Sequence, residues 1–175
     1  MNRNTHDFSP LHASQITGWR RVWQRAPNRP VAFLSVIADE DSTLDGVIAP
    51  VPNDDWMALD AREFSYARLP VTDSVKHAAP YVRDISIYAI PPHDSAPPNK
   101  DHPILLSYVD AVFQGYLREF GKAGAERFCT TTDGWDTPVR DDRMQPIYPR
   151  AQQLTREEQA FVDDMLLTLR AKVFA

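Results

Sequence analysis

Residues 91–103 (PPHDSAPPNKDHP) hold five prolines in thirteen positions. Proline fixes φ and lacks a backbone N–H, so neither a helix nor a central strand can run through this stretch. We interpret it as a loop inside one domain, because neither flank could bury a core alone. Strand-like patterns precede it and helix-like patterns follow it. The order predicts an α+β fold for a single domain, 1–175.

The first half of the chain is patterned for strands. Five are predicted, at 16–24, 30–38, 44–51, 64–72 and 82–90. The second (PVAFLSVIA) is a continuous apolar run, typical of a strand buried on both faces. A turn is predicted at 39–43, and Gly46 in the next strand suggests a bulge or a close backbone approach. This succession favours a small, mostly antiparallel β-barrel or curled sheet.

The second half is patterned for helices. Residues 104–120 place apolar side chains at helical spacing, and Gly121 ends that pattern. A short second helix is predicted at 123–129. Residues 155–174 open with the capping-box pattern TREE and predict a C-terminal helix. The segment 130–150 has turn residues and little periodicity.

A short helix is also predicted at 53–63, with Asn53 as its N-cap. It ends at Glu63, whose neighbours are apolar or aromatic: Leu59, Phe64 and Tyr66. A partly desolvated carboxylate has a raised pKa, in a range that suits proton transfer. The alternative is a helix-end glutamate that pairs with Arg62 or Arg68. Asp60, one turn earlier, is interpreted as a cap or a solvated side chain in preference to a partner of Glu63.

Composition argues against several classes of protein. The formal net charge is −5, and no basic cluster is interleaved with aromatic residues, so we expect no nucleic-acid partner. The single cysteine, Cys129, cannot form an internal disulfide, and residues 1–10 lack the apolar core of a signal peptide. The longest apolar run is too short to span a bilayer. We therefore expect a cytoplasmic protein without a membrane partner.

Familiar nucleotide and hydrolase motifs are absent from the sequence: GxGxxG, the Walker loop and GxSxG. His93 and His102 lie near Asp94 and Asp101 in the proline-rich loop. Loop polarity explains them better than a metal site, because ligating histidines normally come from ordered elements with supporting hydrogen bonds. Cys129 follows apolar residues and is interpreted as a buried structural thiol. No metal and no cofactor are predicted.

The run LDGVIAPVPNDDWMALDAREFSYARLPV (44–71) resembles the gamma-glutamylcyclotransferase family. That family combines a V-x-G-V strand, a short helix, an L-D-x-x-E motif and a tyrosine-containing strand. The matching residues here are Gly46, Val47, Leu59, Asp60, Glu63, Tyr66 and Arg68. ITGWRRVW upstream, and YVDAVFQGYLREFG, TDGW and YPR downstream, are similar to a bacterial branch of the family. The resemblance covers most of the chain.

The resemblance implies an enzyme, a lyase or acyltransferase of glutathione metabolism. Its substrate is a small γ-glutamyl compound, namely glutathione, a γ-glutamyl amino acid or a γ-glutamyl amine. The α-amine of the substrate attacks its own γ-carbonyl, which gives 5-oxoproline and a free amine, so orientation contributes much of the rate. Glu63 is implied as the general acid and base. Gly46, Tyr66 and Tyr148 are candidate substrate-binding residues, although both tyrosines also suit a core or cleft wall.

The sequence departs from the family at one motif. The family opens with a strand that ends in a Y-G-S-L turn, whose backbone N–H groups hold the glutamyl moiety. This sequence has no such segment, and MNRNTH resembles the stretch that follows it. We expect a start assigned at an internal Met, since loss of a central strand would expose sheet edges. The other interpretation is a naturally short chain, a non-catalytic binding module on the same fold. A carboxylate-dependent hydrolase is a third possibility, and no second catalytic group marks it.

Overall fold

Two long antiparallel strands dominate the computed structural model, which describes residues 10–175. They are β1 (His12–Arg25) and β2 (Ala32–Ile48), and they pair along almost their whole length. Residues rich in β-branched and aromatic side chains suit such a pleated, half-buried surface. The MNRNTH stretch, and the predicted link to an upstream turn, lie outside the described residues.

The pairing of β1 with β2 changes register at Gly18. Between the pairs formed by Thr17 and Trp19, this single residue faces residues 39–42 of β2. Gly18 has φ 84°, a left-handed value that glycine adopts without strain. The turn predicted at 39–43 is therefore wrong. The chain bulges there and continues as one strand, so the strands predicted on either side of it are a single element.

The other strands are short: β3 (Ala67–Pro70), β4 (Val75–His77), β5 (Ser86–Ala89), β6 (Ile104–Leu105), β7 (Thr132–Asp133), β8 (Pro138–Arg140) and β9 (Lys172–Phe174). β1 pairs with β4 antiparallel and with β7 parallel, and β3 pairs with β5 antiparallel. β6, β8 and β9 form a separate parallel sheet.

Within residues 10–175 none of these sheets closes into a barrel. The predicted barrel is wrong because the strands after β2 are two to four residues long and fall into separate sheets. The predicted α+β class is confirmed.

Within residues 10–175, three α-helices complete the fold: α1 (Trp56–Arg62), α2 (Leu106–Thr130) and α3 (Arg156–Thr168). α2 is interrupted at Gly121, which has φ 65° and ψ −171°. The prediction that one helix ends there and another follows is confirmed, although the two segments are nearly continuous. Among the described residues, no helix combines the length and the apolar character needed to cross a membrane.

The capping box of α3 is confirmed. The hydroxyl of Thr155 accepts a hydrogen bond from the N–H of Glu158 at 3.1 Å, and the Glu158 carboxylate accepts from the Thr155 N–H at 2.9 Å. The helix is shorter than the predicted 155–174. It ends at Thr168, and Arg170 takes a positive φ of 56° before β9 begins.

The core lies where α2 and α3 pack on β1 and β8. Its largest fully buried side chains include Trp23, Phe113 and Phe128, whose rings pack on one another or on Trp135. The apolar face predicted for 104–120 is confirmed. Cys129 is also buried, and burial raises the pKa of its thiol to about 12, as expected of a structural cysteine.

Candidate functional site

Glu63 stands at the C-terminal end of α1. The cap at the other end of this helix is Asp55, whose carboxylate accepts a hydrogen bond from the Ala58 N–H at 2.9 Å. The predicted N-cap, Asn53, is wrong. It lies in a preceding 3-10 turn and has φ 57°. The N–H of Glu63 donates to the carbonyl of Leu59 at 2.9 Å, which closes the last turn and fixes where the carboxylate emerges.

The Glu63 side chain is at the protein surface and ion-paired. Its Oε1 lies 3.1 Å from Nε of Arg62, and the two side chains are 30% and 40% exposed. A pair with Arg62 is one of the two pairings expected if Glu63 is a structural glutamate at a helix end. Of the predicted apolar neighbours, Leu59 and Tyr66 are half-buried, whereas Phe64 is 66% exposed. Glu63 therefore lies at the rim of the fold and not in a closed apolar pocket.

Asp60 makes contacts of its own. It accepts a hydrogen bond from the Tyr88 hydroxyl at 2.6 Å and pairs with Nε of Arg68 at 3.2 Å. The Arg68 guanidinium lies 4.5 Å from the centre of the Trp56 ring. Burial and the bond to Asp60 raise the pKa of Tyr88 to about 12. Asp60 thus ties α1 to β3 and β5, and Arg68, the other predicted partner of Glu63, is occupied by it.

The charge of Glu63 acts on Tyr66, Tyr108 and Tyr148, which we call the tyrosine cluster, and also on Tyr88. Tyr66 directly precedes β3, Tyr108 lies in the first turn of α2, and Tyr148 lies in the segment before α3. The rings of Tyr108 and Tyr148 have centroids 4.6 Å apart. The Tyr66 hydroxyl donates to the carbonyl of Leu34, in β2, at 3.3 Å. Three remote parts of the chain thus bring tyrosines within electrostatic range of one carboxylate.

The cluster is neutral at physiological pH. Burial raises the pKa of Tyr66, of Tyr108 and of Tyr148 above the ordinary value of 10, and the negative charge of Glu63 raises each further. Protonated phenols are hydrogen-bond donors. The arrangement can therefore accept a proton at Glu63 and donate hydrogen bonds from hydroxyls beside it.

Tyr66 and Tyr148, two of the residues singled out by the sequence, thus lie with Glu63. The sequence did not single out Tyr108, because its position on the apolar face of a helix predicts only a core side chain. Its ring also packs edge-on against Trp23, at 5.5 Å between centroids. The periodicity of α2 carries no signal that separates a core tyrosine from one at a site.

Gly46 is not among the residues brought together at Glu63. It pairs in register with Ser14, and a Cβ built on it meets nothing within 4 Å. The predicted bulge and close approach of protein backbone are therefore wrong at this position. The neighbouring Asp45 is buried and is held by Arg127 at 2.7 Å and by Gln15 at 2.9 Å. A ligand contact at Gly46 stays a prediction.

The described chain, 10–175, contains no group of three or more His, Cys, Asp or Glu side chains arranged to hold a metal. His93 lies 3.4 Å from Asp94, and His102 contacts Asn99 at 3.2 Å. Two open concavities, of about 380 and 360 Å³, lie near the C-terminal Ala175 and near Trp56. The residues lining these two concavities do not include Glu63 or the tyrosine cluster.

No family model matches the sequence, and no curated protein matches it. Solved structures that are similar to this one include the following two. The first is a gamma-glutamyl cyclotransferase, 12% identical over 87% of this chain and 83% of that chain, with a TM-score of 0.48. The second, of an uncharacterized protein from Homo sapiens, is 12% identical over 86% of this chain and 82% of that chain, also with a TM-score of 0.48.

Proposed function

We propose that this chain cyclises a γ-glutamyl compound to 5-oxoproline and releases an amine or an amino acid, with Glu63 as the general acid and base. The observation that carries the proposal is the meeting of Glu63 with Tyr66 and Tyr148. Glu63 and Tyr66 lie in one stretch of the sequence, and Tyr148 comes from another about 80 residues further along. The sequence pattern at 44–71 supports the same reaction.

The chemistry needs one group that moves a proton twice. The α-amine of the substrate is an ammonium at neutral pH and cannot attack. The Glu63 carboxylate takes its proton, the freed amine forms a bond to the γ-carbonyl carbon, and a tetrahedral oxyanion results. When the bond from that carbon to the leaving nitrogen breaks, Glu63 gives its proton to the departing amine. It then takes the second proton from the positively charged ring nitrogen and passes it to the released amine, which leaves as an ammonium. Atoms and charge balance without metal or cofactor.

The tyrosine hydroxyls serve as donors in this scheme. Because the pKa of each is raised, they stay protonated and cannot compete with Glu63 as a base. A hydroxyl directed at the developing oxyanion would stabilise it more than it stabilises the ground-state carbonyl. Tyr148 is the first candidate for this role, and Tyr66 can fill it only by giving up the bond that its single O–H donates to the Leu34 carbonyl.

The ion pair with Arg62 does not block the mechanism. Both partners are partly exposed, and exposed pairs contribute only about 0–1 kcal/mol. A substrate ammonium can therefore replace the Arg62 guanidinium as the partner of Glu63 at small cost. Binding of substrate and activation of the base then become the same event.

The test is release of 5-oxoproline from a panel containing glutathione, γ-glutamyl amino acids and γ-glutamyl amines, measured for the parent and for Glu63→Gln. Glutamine keeps the shape of the side chain but cannot carry the proton. We expect turnover to fall by about 10²–10⁴-fold with an unchanged melting temperature. Glu40→Gln, at an exposed position in the bulge of β2, is the matched control. Equal turnover by Glu63→Gln and the parent would exclude Glu63 as the base.

The second candidate is a non-catalytic binding module. The observation in its favour is the Glu63–Arg62 pair itself, which is what a structural helix-end glutamate would form. In that case, γ-glutamyl compounds would bind measurably by calorimetry, and no 5-oxoproline would appear with either the parent or Glu63→Gln.

A further inference from the structure

Arg29 follows a tight turn between β1 and β2. Its N–H donates to the carbonyl of Ala26 at 3.3 Å, and the two residues between them are Pro27 and Asn28. Asn28 has φ 59°. Proline fixes φ at one central position of such a turn, and asparagine tolerates a positive φ at the next. The backbone of Arg29 is therefore held by a turn that the sequence itself favours.

The Arg29 side chain is held from three sides. Its Nε donates to the Ser65 hydroxyl at 3.1 Å. The guanidinium lies 4.3 Å from the centre of the Phe64 ring and 5.6 Å from that of Phe33. Phe64 and Ser65 directly follow Glu63 in the chain. These contacts therefore attach the guanidinium to the same segment that carries the proposed base.

The charge of Arg29 reaches the site. It lowers the pKa of Tyr66, against the larger effects of burial and of Glu63. Arg62 and Arg68 each pair with a carboxylate nearby, but Arg29 forms no ion pair within residues 10–175. An ordered guanidinium costs side-chain entropy, and here no carboxylate of the described chain offsets that cost. Its terminal Nη groups are suited to an anion supplied from outside.

We propose that Arg29 is the anion-recognition residue of the Glu63 site and binds a carboxylate of the ligand. The inference rests on the proposed function. A planar guanidinium offers two parallel N–H donors, which match the two oxygens of a carboxylate. A γ-glutamyl amino acid carries two such groups, one on its glutamyl half and one on its leaving half. Arg29 orients the ligand and takes no part in moving the proton.

The role of Arg29 can be measured without turnover. Dissociation constants are determined by calorimetry in the Glu63→Gln chain, with and without Arg29→Gln. The probes are γ-glutamylalanine, γ-glutamylethylamide, which lacks the leaving-side carboxylate, and 4-aminobutyrylalanine, which lacks the glutamyl-side carboxylate. We expect Arg29→Gln to weaken binding of γ-glutamylalanine by about 10- to 100-fold, the range for hydrogen bonds to a charged group.

The two truncated probes identify the carboxylate. The probe that lacks the group held by Arg29 will bind equally well to both chains, and the other will lose affinity. The inference would be overturned if each of the three probes bound equally well to the chains with and without Arg29→Gln. Affinity that depends on Arg29, in a protein that releases no 5-oxoproline, would instead overturn the proposed reaction and leave the anion site standing.

Two variants separate recognition from folding. Arg29→Lys keeps the charge and the aliphatic stem over the aromatic rings but loses the planar pair of donors, so we expect an intermediate loss of affinity. Arg83→Gln removes one positive charge at an exposed position before β5 and should leave the affinities unchanged. A loss of the same size in Arg83→Gln would show that net charge, and not Arg29, governs binding.

Discussion

Oε1 of Glu63 lies 3.1 Å from Nε of Arg62, its neighbour in the chain. The carboxylate proposed as the catalytic base is therefore the same one that forms an ion pair at the end of the helix. The exposure of both side chains makes the pair weak and easy to exchange. Without ligand, the Glu63 carboxylate pairs with the Arg62 guanidinium, and the ammonium group of a ligand can replace that guanidinium.

Replacing Arg62 tests this exchange. We expect Arg62→Gln to change the free energy of unfolding by less than about 1 kcal/mol, because exposed ion pairs contribute little. We also expect kcat/KM for a γ-glutamyl substrate to be kept or raised, since the ligand ammonium no longer competes with the guanidinium. Urea unfolding and initial rates measure the two quantities. A loss of turnover as large as that of Glu63→Gln would mean that the pair itself is required.

Removing one hydroxyl at a time tests the tyrosine cluster. Tyr66→Phe deletes the hydrogen bond to Leu34 and should lower the free energy of unfolding by about 0.5–1.5 kcal/mol. If either hydroxyl stabilises the oxyanion, Tyr66→Phe or Tyr148→Phe should reduce kcat by about tenfold or more. The control is Tyr81→Phe, because Tyr81 is fully exposed. Rates equal to the parent in both cluster variants would remove these hydroxyls from the site.

Gly46 can be tested by adding one methyl group. A Cβ there has open space, and alanine is the better residue inside a strand, so Gly46→Ala should be at least as stable as the parent. If substrate lies against Gly46, as the sequence resemblance implies, the methyl raises KM while thermal stability is kept. An unchanged KM in a folded variant would exclude Gly46 from the substrate site.

The elements that the sequence predicted well are those with a local cause. The apolar repeat of 104–120, the break at Gly121 and the capping box at Thr155 each depend on residues within a few positions of one another. The strands β8 and β9 could not be predicted from local sequence patterns. Val139 pairs with Val173, which is 34 positions away, and neither stretch is patterned as a strand.

The candidate site shows the same division. Glu63 was singled out from the L-D-x-x-E motif, whose residues are close together in the sequence. Tyr108 was not singled out, because its place in the tyrosine cluster depends on Tyr148. That residue packs on it from a segment without a periodic sequence pattern. Arg29 had no signal at all in the sequence. Its significance follows from Phe64 and Ser65, residues more than 30 positions further along the chain.

Acid stability provides a prediction that does not depend on the proposed reaction. Burial tends to raise the pKa of Glu158, but hydrogen bonds from the Thr155 N–H and the Gln114 amide, with the nearby Arg118, hold it below its ordinary value of 4.5. The folded protein therefore releases this proton at a lower pH than the unfolded chain does. The stabilisation is complete above pH 4.5 and is lost as pH falls through the folded pKa.

Glu158→Gln should lower the free energy of unfolding by about 1 kcal/mol at neutral pH and flatten its dependence on pH below 4.5. Urea unfolding from pH 7 to pH 3 measures both effects. Glu157→Gln is the matched control, because it removes the same charge from the first turn of α3 at an exposed position outside the capping box. Because Glu158 makes these hydrogen bonds, we expect the pH dependence of the free energy of unfolding to be reduced more in Glu158→Gln than in Glu157→Gln. Equal flattening in both variants would instead assign the acid sensitivity to the helix dipole, which acts on either carboxylate.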